Sequence, residues 1–165
     1  MTDWISQPLG ERHDLDRFAC GNEALDRWLR DQARRSHRAG AARTTVWVAP
    51  DSPIVVAYHA IAPTQLARVD LPSRALSGGY SQVPGYLIGR LALDLRLRGQ
   101  GLGTELLLDA LERIVEAADR AGGRLVAVDA IDDEAHRFYR HHGFVRVEGS
   151  NRLVMKLATA RRALG

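Results

Sequence analysis

The sequence predicts an α/β fold in which helices cover a mixed sheet, and three features carry this prediction. A strand, a glycine-rich turn and a long helix follow one another between Leu91 and Ala121. Two β-branched runs, 44–49 and 54–62, form a hairpin around Pro50-Asp51-Ser52-Pro53. A short buried strand at 125–130 is followed directly by a helix. Helices that alternate with strands beside a hairpin are typical of layered α/β domains with mixed sheets.

Length and composition predict one domain, residues 1–165, with a core that needs neither metal nor disulfide. The single cysteine, Cys20, excludes an internal disulfide, and we interpret it as a small buried residue rather than a reactive thiol. We find no signal peptide and no apolar run of membrane-spanning length, so a cytoplasmic location without membrane contact is expected. The formal net charge is +3, and all basic residues except Lys156 are arginines.

A first helix is predicted from Asn22 to Gly40. Asn22 is a favourable N-cap, and Leu25, Trp28 and Leu29 recur on one face. The opposite face is rich in arginine, and two interpretations are open: a solvated surface or a ridge that binds a polyanion such as RNA. The basic residues of this ridge are Arg27, Arg30, Arg34, Arg35, His37, Arg38 and Arg43, against Asp26 and Asp31.

Residues 63–85 contain several prolines and glycines and are predicted to form a long irregular connection. Such a loop is usually functional or mobile. The remaining predictions are a first strand and turn within 4–17, strands at 85–95, 144–148 and 152–157, a helix at 104–121 that Gly122-Gly123 ends, and a helix that Asp132 or Asp133 caps and that stops at Gly143.

The glycine-rich turn has the features of an anion site. Gly99, Gly101 and Gly103 alternate with other residues, and Arg96 and Arg98 add positive charge. Without Cβ atoms the backbone can approach a ligand and point several N–H groups at it, beside the positive end of the following helix. The stretch lacks the nucleoside-triphosphate loop and the dinucleotide fingerprint, so another phosphate ligand is indicated.

Two motifs resemble those of the GNAT N-acetyltransferases. Arg98-Gly99-Gln100-Gly101-Leu102-Gly103 matches Q/R-x-x-G-x-G/A, and 135–144 matches a helix that ends in Tyr-x-x-x-Gly-Phe. The resemblance covers roughly 86–157 and implies a mixed, mostly antiparallel sheet of six to seven strands, flanked by helices and splayed at an acetyl-CoA site. It implies acetyl-CoA as co-substrate without a metal, held by Leu91, Ala92, Leu93, Arg98, Gly99, Gly101, Leu102, Gly103 and Thr104.

A narrower resemblance spans nearly the whole chain. Residues 18–29, 89–94 and 132–135 are similar to those of the GNAT toxins of bacterial type II toxin–antitoxin modules. Those enzymes acetylate the α-amine of amino acids attached to tRNA and so block translation. The resemblance implies charged tRNA as substrate, a cognate protein antitoxin and a homodimer. It favours the polyanion interpretation of the first helix, with the acceptor stem held by Arg34, Arg35, Arg38 and Arg90.

Tyr139 is the predicted proton donor. Acetyl transfer needs a neutral amine, a place for the oxyanion and a proton for the departing thiolate, which a phenol of pKa near 10 can hydrogen-bond and protonate. The family implies that backbone N–H groups of Leu91–Leu93 serve the oxyanion where the sheet splays. No general base is evident, since Asp94 fits equally well as a cap of the loop and Glu134 as an acid in the first turn of a helix. An α-amine of pKa about 7.7–8.0 hardly needs one, unlike a lysine amine.

Two alternatives stay open. One is acetylation of a small amine or of a protein N-terminus. A site ringed by arginines disfavours cationic substrates, and 63–85 supplies only Asp70 as an acid. The other is a non-catalytic module that senses acetyl-CoA. His136, His141 and His142 lack metal-ligand spacing, so no metal site is predicted.

Overall fold

A seven-stranded sheet is the frame of the protein, whose computed structural model describes residues 3–165. The strands are β1 Ile5–Pro8, β2 Arg43–Val48, β3 Val55–Ala67, β4 Gln82–Leu93, β5 Leu125–Asp129, β6 Val145–Arg146 and β7 Arg152–Lys156. Their order is β1-β2-β3-β4-β5-β7-β6. β4 and β5 run parallel, whereas β1–β2, β2–β3, β5–β7 and β6–β7 are antiparallel. This mixed, mostly antiparallel sheet confirms the predicted fold class.

Helices connect the strands. They are α1 Glu23–Asp31, α2 Ala33–Ala39, α3 Arg74–Ser77, α4 Leu102–Ala121, α5 Asp133–His141 and α6 Leu157–Ala163, with short 3-10 helices at Arg68–Asp70 and Leu95–Leu97. Within the described residues, none of these helices has both the length and the apolar character needed to cross a bilayer.

Contacts divide the described residues into two compact units. The first unit combines the chain up to Ala62 with Arg90–Ala110, and the second combines Pro63–Gly89 with Leu111–Gly165. Each has its own cluster of buried apolar residues. The first core includes Leu29, Ala33, Val46, Val55 and Tyr58, and the second includes Leu66, Val83, Leu125, Ala127 and Val154.

The first predicted helix is two helices, so the prediction of one continuous helix is wrong. Asn22 caps α1 as expected, since its side chain accepts a hydrogen bond of 3.0 Å from the Leu25 amide. The helix is interrupted at Gln32, which has φ −121° and ψ −30°. Tertiary contacts override the continuous periodicity here, because α2 is tied to an earlier segment through Arg34. Gly40 ends α2 with φ +74°, as predicted.

The irregular connection predicted at 63–85 is shorter than expected. β3 continues to Ala67 and β4 begins at Gln82, which leaves 68–81 between them. Leu66 and Val83 are buried at 5% and 0% exposure in the second core. The sequence signal of the prolines is therefore outweighed by burial of the residues around them.

The C-terminal helix α6 was not predicted. Leu157 and Ala160 are buried on one face of it. Arg161 forms an ion pair of 2.6 Å with Asp119 on α4. The apolar spacing Leu157, Ala160, Leu164 is the signal that could have indicated this helix.

Candidate active site

Asp94 fixes the turn that follows β4. It is 2% exposed, caps the 3-10 helix at the Arg96 amide, and accepts the amide of Ala19 at 3.1 Å. The Arg96 guanidinium also donates to both of its oxygens, at 2.9 and 3.1 Å. Burial acts to raise the pKa of Asp94, but these hydrogen bonds outweigh it and hold that pKa below its usual value. Asp94 is thus an ionised cap, and its position offers no general base.

The glycine-rich turn leads directly into α4. Gly99 and Gly101 have φ of +79° and +75°, which only glycine adopts without strain, and a Cβ at either position would meet no atom within 4 Å. The turn therefore presents bare backbone to open space at the positive end of a 20-residue helix. Leu102, Gly103 and Thr104 form the first turn of that helix. Such an arrangement fits a pyrophosphate.

The arginines of the turn have partners in the first unit. Arg96 is paired with Asp94, so its charge is largely neutralised. Arg98 is exposed, and its Nη2 donates a hydrogen bond of 3.1 Å to the carbonyl of Cys20. Because a carbonyl carries no net charge, Arg98 keeps its full positive charge beside the turn.

The end of β4 extends past its parallel partner. The β4–β5 register runs from Gly85–Leu125 to Ile88–Val128, whereas β4 continues to Leu93. Leu91 and Leu93 are half-buried against the cluster of Trp47, Val56, Ala57, Leu97 and Leu106, and Ala92 is buried in the other core cluster of the first unit. A strand that runs beyond its neighbour is the geometry that a splayed sheet requires.

Tyr139 lies near the end of α5 and is 7% exposed. Its ring meets Phe138 and Phe144 edge-on, with centroids 5.4 and 5.5 Å away. Burial, and then the charge of Asp129, raise the pKa of Tyr139 above its usual value. Its hydroxyl has no hydrogen-bond partner within residues 3–165. The phenol is therefore protonated and available to a ligand.

The arginine ridge of α1 and α2 is less free than its sequence suggests. Arg34 is half-buried and donates to the carbonyls of Gly10, Glu11 and His13. Arg38 pairs with the exposed Glu11 carboxylate at 2.7 Å. Arg35 is exposed and donates to the side chain of Gln32 on the same helix.

Arg90 lies apart from this group on β4. Its guanidinium carbon is 4.4 Å from the centroid of the Trp28 ring. Trp28 in turn stacks on Tyr58, with 6.1 Å between ring centroids. The cation–π contact fixes Arg90 beside α1 without neutralising its charge.

Other candidates are structural. Cys20 is buried, as predicted, and burial together with the hydrogen bond to Asp26 raises its pKa to about 11, which disfavours the reactive thiolate. Asp132 caps α5 by accepting the Ala135 amide at 2.8 Å. Within the part of the chain that the structure describes, no three His, Cys, Asp or Glu side chains are grouped to hold a metal.

An ion pair at the end of β5 was missed by sequence reasoning. The Arg152 guanidinium donates to both oxygens of Asp129, at 2.9 and 3.0 Å. The two residues face each other in the antiparallel β5–β7 register. The available signal was an acidic residue that ends an otherwise apolar strand shortly before the helix of Tyr139.

The fold, the glycine turn and the buried tyrosine define the class of protein. The acetyltransferase (GNAT) domain family matches residues 42–146, and the chain belongs to this family of N-acetyltransferases. The resemblance predicted from the two motifs is therefore confirmed.

Several of the proteins that the chain resembles are toxins. The chain is 38% identical over 136 residues to the tRNA-acetylating toxin of Mycobacterium tuberculosis (strain ATCC 25618 / H37Rv). This match covers 82% of this chain and 81% of the toxin. The structure of the toxin AtaT complexed with acetyl-methionyl-tRNAfMet matches with TM-score 0.89 at 28% identity, over 99% and 100% of the two chains. A tyrosine-to-phenylalanine variant of AtaT, bound to the C-terminus of the antitoxin AtaR and acetyl-CoA, matches with TM-score 0.83 at 27% identity over 98% of each chain.

Proposed function

We propose that this chain is a toxin that transfers acetyl from acetyl-CoA to the α-amine of aminoacyl-tRNA and thereby blocks translation. The observation that carries the substrate is the likeness to the tRNA-acetylating toxin, which spans 136 residues and so exceeds the acetyltransferase domain match at 42–146. The glycine turn and Tyr139 supply the groups that acetyl transfer to any amine requires.

Acetyl-CoA is the co-substrate, and the bare backbone of Gly99 and Gly101 is suited to its pyrophosphate. The α4 N-terminus adds a partial positive charge and Arg98 adds a full one. Backbone N–H groups of Leu91, Ala92 and Leu93 are the donors we assign to the acetyl oxygen, and the first turn of α4, with Leu102, Gly103 and Thr104, completes the coenzyme contacts. Both of these last two assignments carry over from the family.

Tyr139 acts on the leaving sulfur. A thiol has a pKa of about 8.5 and an ordinary phenol one of about 10, so complete proton transfer from the phenol to the thiolate is uphill by at least about 2 kcal/mol. The raised pKa of Tyr139 increases this difference. We therefore assign to Tyr139 a hydrogen bond that strengthens as charge develops on sulfur, rather than complete loss of its proton.

Charged tRNA is the acceptor, and Arg35, Arg38 and Arg90 are the residues we assign to its phosphates. Arg35 and Arg38 are exposed and bonded only to side chains that phosphate can displace. Arg90 retains its charge over Trp28. Arg34 is assigned to the same surface, but its bonds to three backbone carbonyls give it a structural role as well.

The other parts of the proposal concern assembly. A cognate antitoxin neutralises the enzyme, as the AtaT complex with the AtaR C-terminus suggests by likeness. We further propose a single acetyltransferase domain over 1–165, of which residues 1 and 2 lie outside the described part, a homodimer, and a cytoplasmic location, where charged tRNA is found.

Cell-free translation tests the proposal. The protein with acetyl-CoA should arrest synthesis, whereas the protein alone, or Tyr139→Phe with acetyl-CoA, should not. Acetylated aminoacyl-tRNA should accumulate in the arrested reaction. Arrest without acetyl-CoA, or arrest without acetylated tRNA, would contradict the proposed function.

A further inference from the structure

A two-residue segment of the first unit, 19–20, connects the glycine turn with α1. Ala19 binds the start of the turn through both of its backbone polar groups. Its N–H donates to Oδ2 of Asp94 at 3.1 Å, and its carbonyl accepts the N–H of Leu95 at 2.9 Å. The segment is therefore held to the turn by one donor and one acceptor.

Cys20 connects the same segment to α1 and to Arg98. Its N–H donates to Oδ1 of Asp26, on α1, at 2.9 Å. Its carbonyl accepts a hydrogen bond of 3.1 Å from Nη2 of Arg98. Asp26 and Arg98 thus bind the two backbone polar groups of one residue, which is 4% exposed.

The next residue, Gly21, shows how closely the segment approaches Arg98. Its φ is +90°, and a Cβ built on it would lie 3.3 Å from Cδ2 of Leu95 and 3.7 Å from Nη2 of Arg98. The guanidinium therefore lies beside Gly21 as well as beside Cys20. Its direction depends on where this stretch of backbone is held.

The position of Arg98 matters for binding an anion. Arg98 is exposed, and an exposed arginine loses rotamer freedom when it binds a ligand. A side chain that the protein already holds has lost part of this freedom beforehand, so it binds more tightly. The bond to Cys20 uses one of the five N–H groups of a guanidinium, and the others can reach a phosphate.

We propose that Asp26 is a positioning residue for acetyl-CoA: by accepting the Cys20 amide it fixes the Cys20 carbonyl, which in turn fixes Arg98 for the pyrophosphate. The inference rests on the proposed function in one respect, the assignment of Arg98 to the pyrophosphate. It extends that function, because it gives a residue of α1 a part in binding the acetyl donor.

The first test is calorimetry of acetyl-CoA binding, without acceptor, to three variants of Asp26. Asp26→Ala should weaken binding by about fivefold or more, because the Cys20 amide loses its acceptor. Asp26→Asn keeps an oxygen at the same reach and should stay within about twofold of the wild type. Asp26→Glu keeps the charge but moves the carboxylate by one methylene, and it should weaken binding by about threefold or more.

This pattern separates geometry from charge. Loss in Asp26→Asn together with retention in Asp26→Glu would show that the charge of Asp26 is what matters, and would overturn the inference. Thermal melts establish that each variant is folded at the assay temperature. Should Asp26→Ala not fold, the Asp26→Asn and Asp26→Glu pair gives the same decision.

A double-mutant cycle separates positioning from a general structural role. Arg98→Ala should by itself weaken acetyl-CoA binding by about tenfold or more. In the Arg98→Ala background, Asp26→Ala should cause less than a further twofold loss, because the group that Asp26 positions is gone. Loss by the same factor in both backgrounds would mean that Asp26 supports the fold around the turn, and would overturn the inference.

Glu23→Ala is the matched control. Glu23 is the other acid in the first turn of α1, and it pairs with Arg27 at 2.7 Å on the surface. The variant removes the same charge from the same helix without removing the acceptor of the Cys20 amide. Its acetyl-CoA affinity should equal that of the wild type, and a loss as large as that of Asp26→Ala would contradict the role of Asp26.

Failure of the inference is distinguishable from failure of the proposed function. If Arg98→Ala keeps full affinity for acetyl-CoA, the assignment of Arg98 to the pyrophosphate is wrong, and the inference falls with it. If Arg98→Ala loses affinity but Asp26→Ala does not, the inference alone is wrong. Neither result depends on the acceptor, which the cell-free translation experiment tests separately.

Discussion

At the scale of single residues, Tyr139 is the most informative. Its side chain is largely buried, and its hydroxyl makes no hydrogen bond to another of the described residues. The aromatic contacts with Phe138 and Phe144 hold the ring in place and leave the hydroxyl available to a ligand.

Tyr139→Phe should therefore keep its affinity for acetyl-CoA and lose about 100-fold or more in kcat, because only the transition-state hydrogen bond to sulfur is removed. Its free energy of unfolding should be unchanged or slightly higher. Calorimetry with acetyl-CoA measures the affinity, and a free-thiol assay measures kcat. Tyr80→Phe, at an exposed tyrosine of the same unit, is the control and should behave as the wild type. Normal turnover of Tyr139→Phe would contradict the assignment of Tyr139 as the hydrogen-bond donor to sulfur.

The raised pKa of Tyr139 predicts a second result. A phenol whose pKa lies above 10 stays protonated as the pH rises from 8 to 10, so it remains a donor throughout. We expect kcat with an RNA acceptor whose amino acid is linked as a stable amide to be constant over this interval. A decline with an apparent pKa below 10, absent from Tyr139→Phe, would show that the phenol titrates earlier than its burial implies.

At the scale of elements, the glycine turn and the helix pair α1–α2 make different demands. The turn needs backbone that only glycine adopts at 99 and 101, so that the N–H groups face an anion. The helix pair is held by a half-buried arginine whose donors satisfy backbone carbonyls.

Gly101→Asp should abolish acetyl-CoA binding, because the side chain fills the open space before α4 and its charge repels the pyrophosphate. Gly40→Asp is a matched control, since Gly40 has nearly the same φ, +74° against +75°, and also faces open space. The two variants share the backbone strain of about 1 kcal/mol and differ only in the anion site. Equal loss of acetyl-CoA affinity in both would mean that strain, and not the site, explains the effect.

Arg34→Gln should lower the free energy of unfolding by about 2 kcal/mol, which is about 4–8 °C in Tm for a chain of this size. Arg35→Gln should change it by less than about 0.5 kcal/mol, because this side chain is exposed. The KM for tRNA should show the opposite order. Arg35→Gln and Arg38→Gln should raise this KM more than Arg34→Gln does, and they should reduce the salt dependence of binding. Thermal melts and acetylation at several salt concentrations measure both. Equal stability of the Arg34 and Arg35 variants would remove the structural role of Arg34.

Sequence reasoning succeeded where local chemistry decides the structure. The Asn22 cap, the 44–62 hairpin and the glycine turn all depend on neighbours in the chain. It failed where distant contacts decide. The break at Gln32 follows from bonds between Arg34 and 10–13, the longer β3 and β4 follow from burial, and the Asp129–Arg152 pair requires the β5–β7 register.

At the scale of the whole molecule, positive charge is available for a polyanion. Arg35 and Arg38 on α2 are exposed, and the half-buried Arg90 on β4 lies over the Trp28 ring. The chain as a whole carries a net charge of +3. This distribution supports a polyanionic substrate such as tRNA over a small cationic amine.

The most direct test is transfer of radiolabelled acetyl from acetyl-CoA to total tRNA, charged and uncharged in parallel, with Tyr139→Phe as control. We predict label only on charged tRNA, released by mild base with the amino acid, and no label with the variant. Label on uncharged tRNA, or no label on either while acetyl-CoA is bound, would contradict the central claim that this acetyltransferase acts on the amino acid of aminoacyl-tRNA.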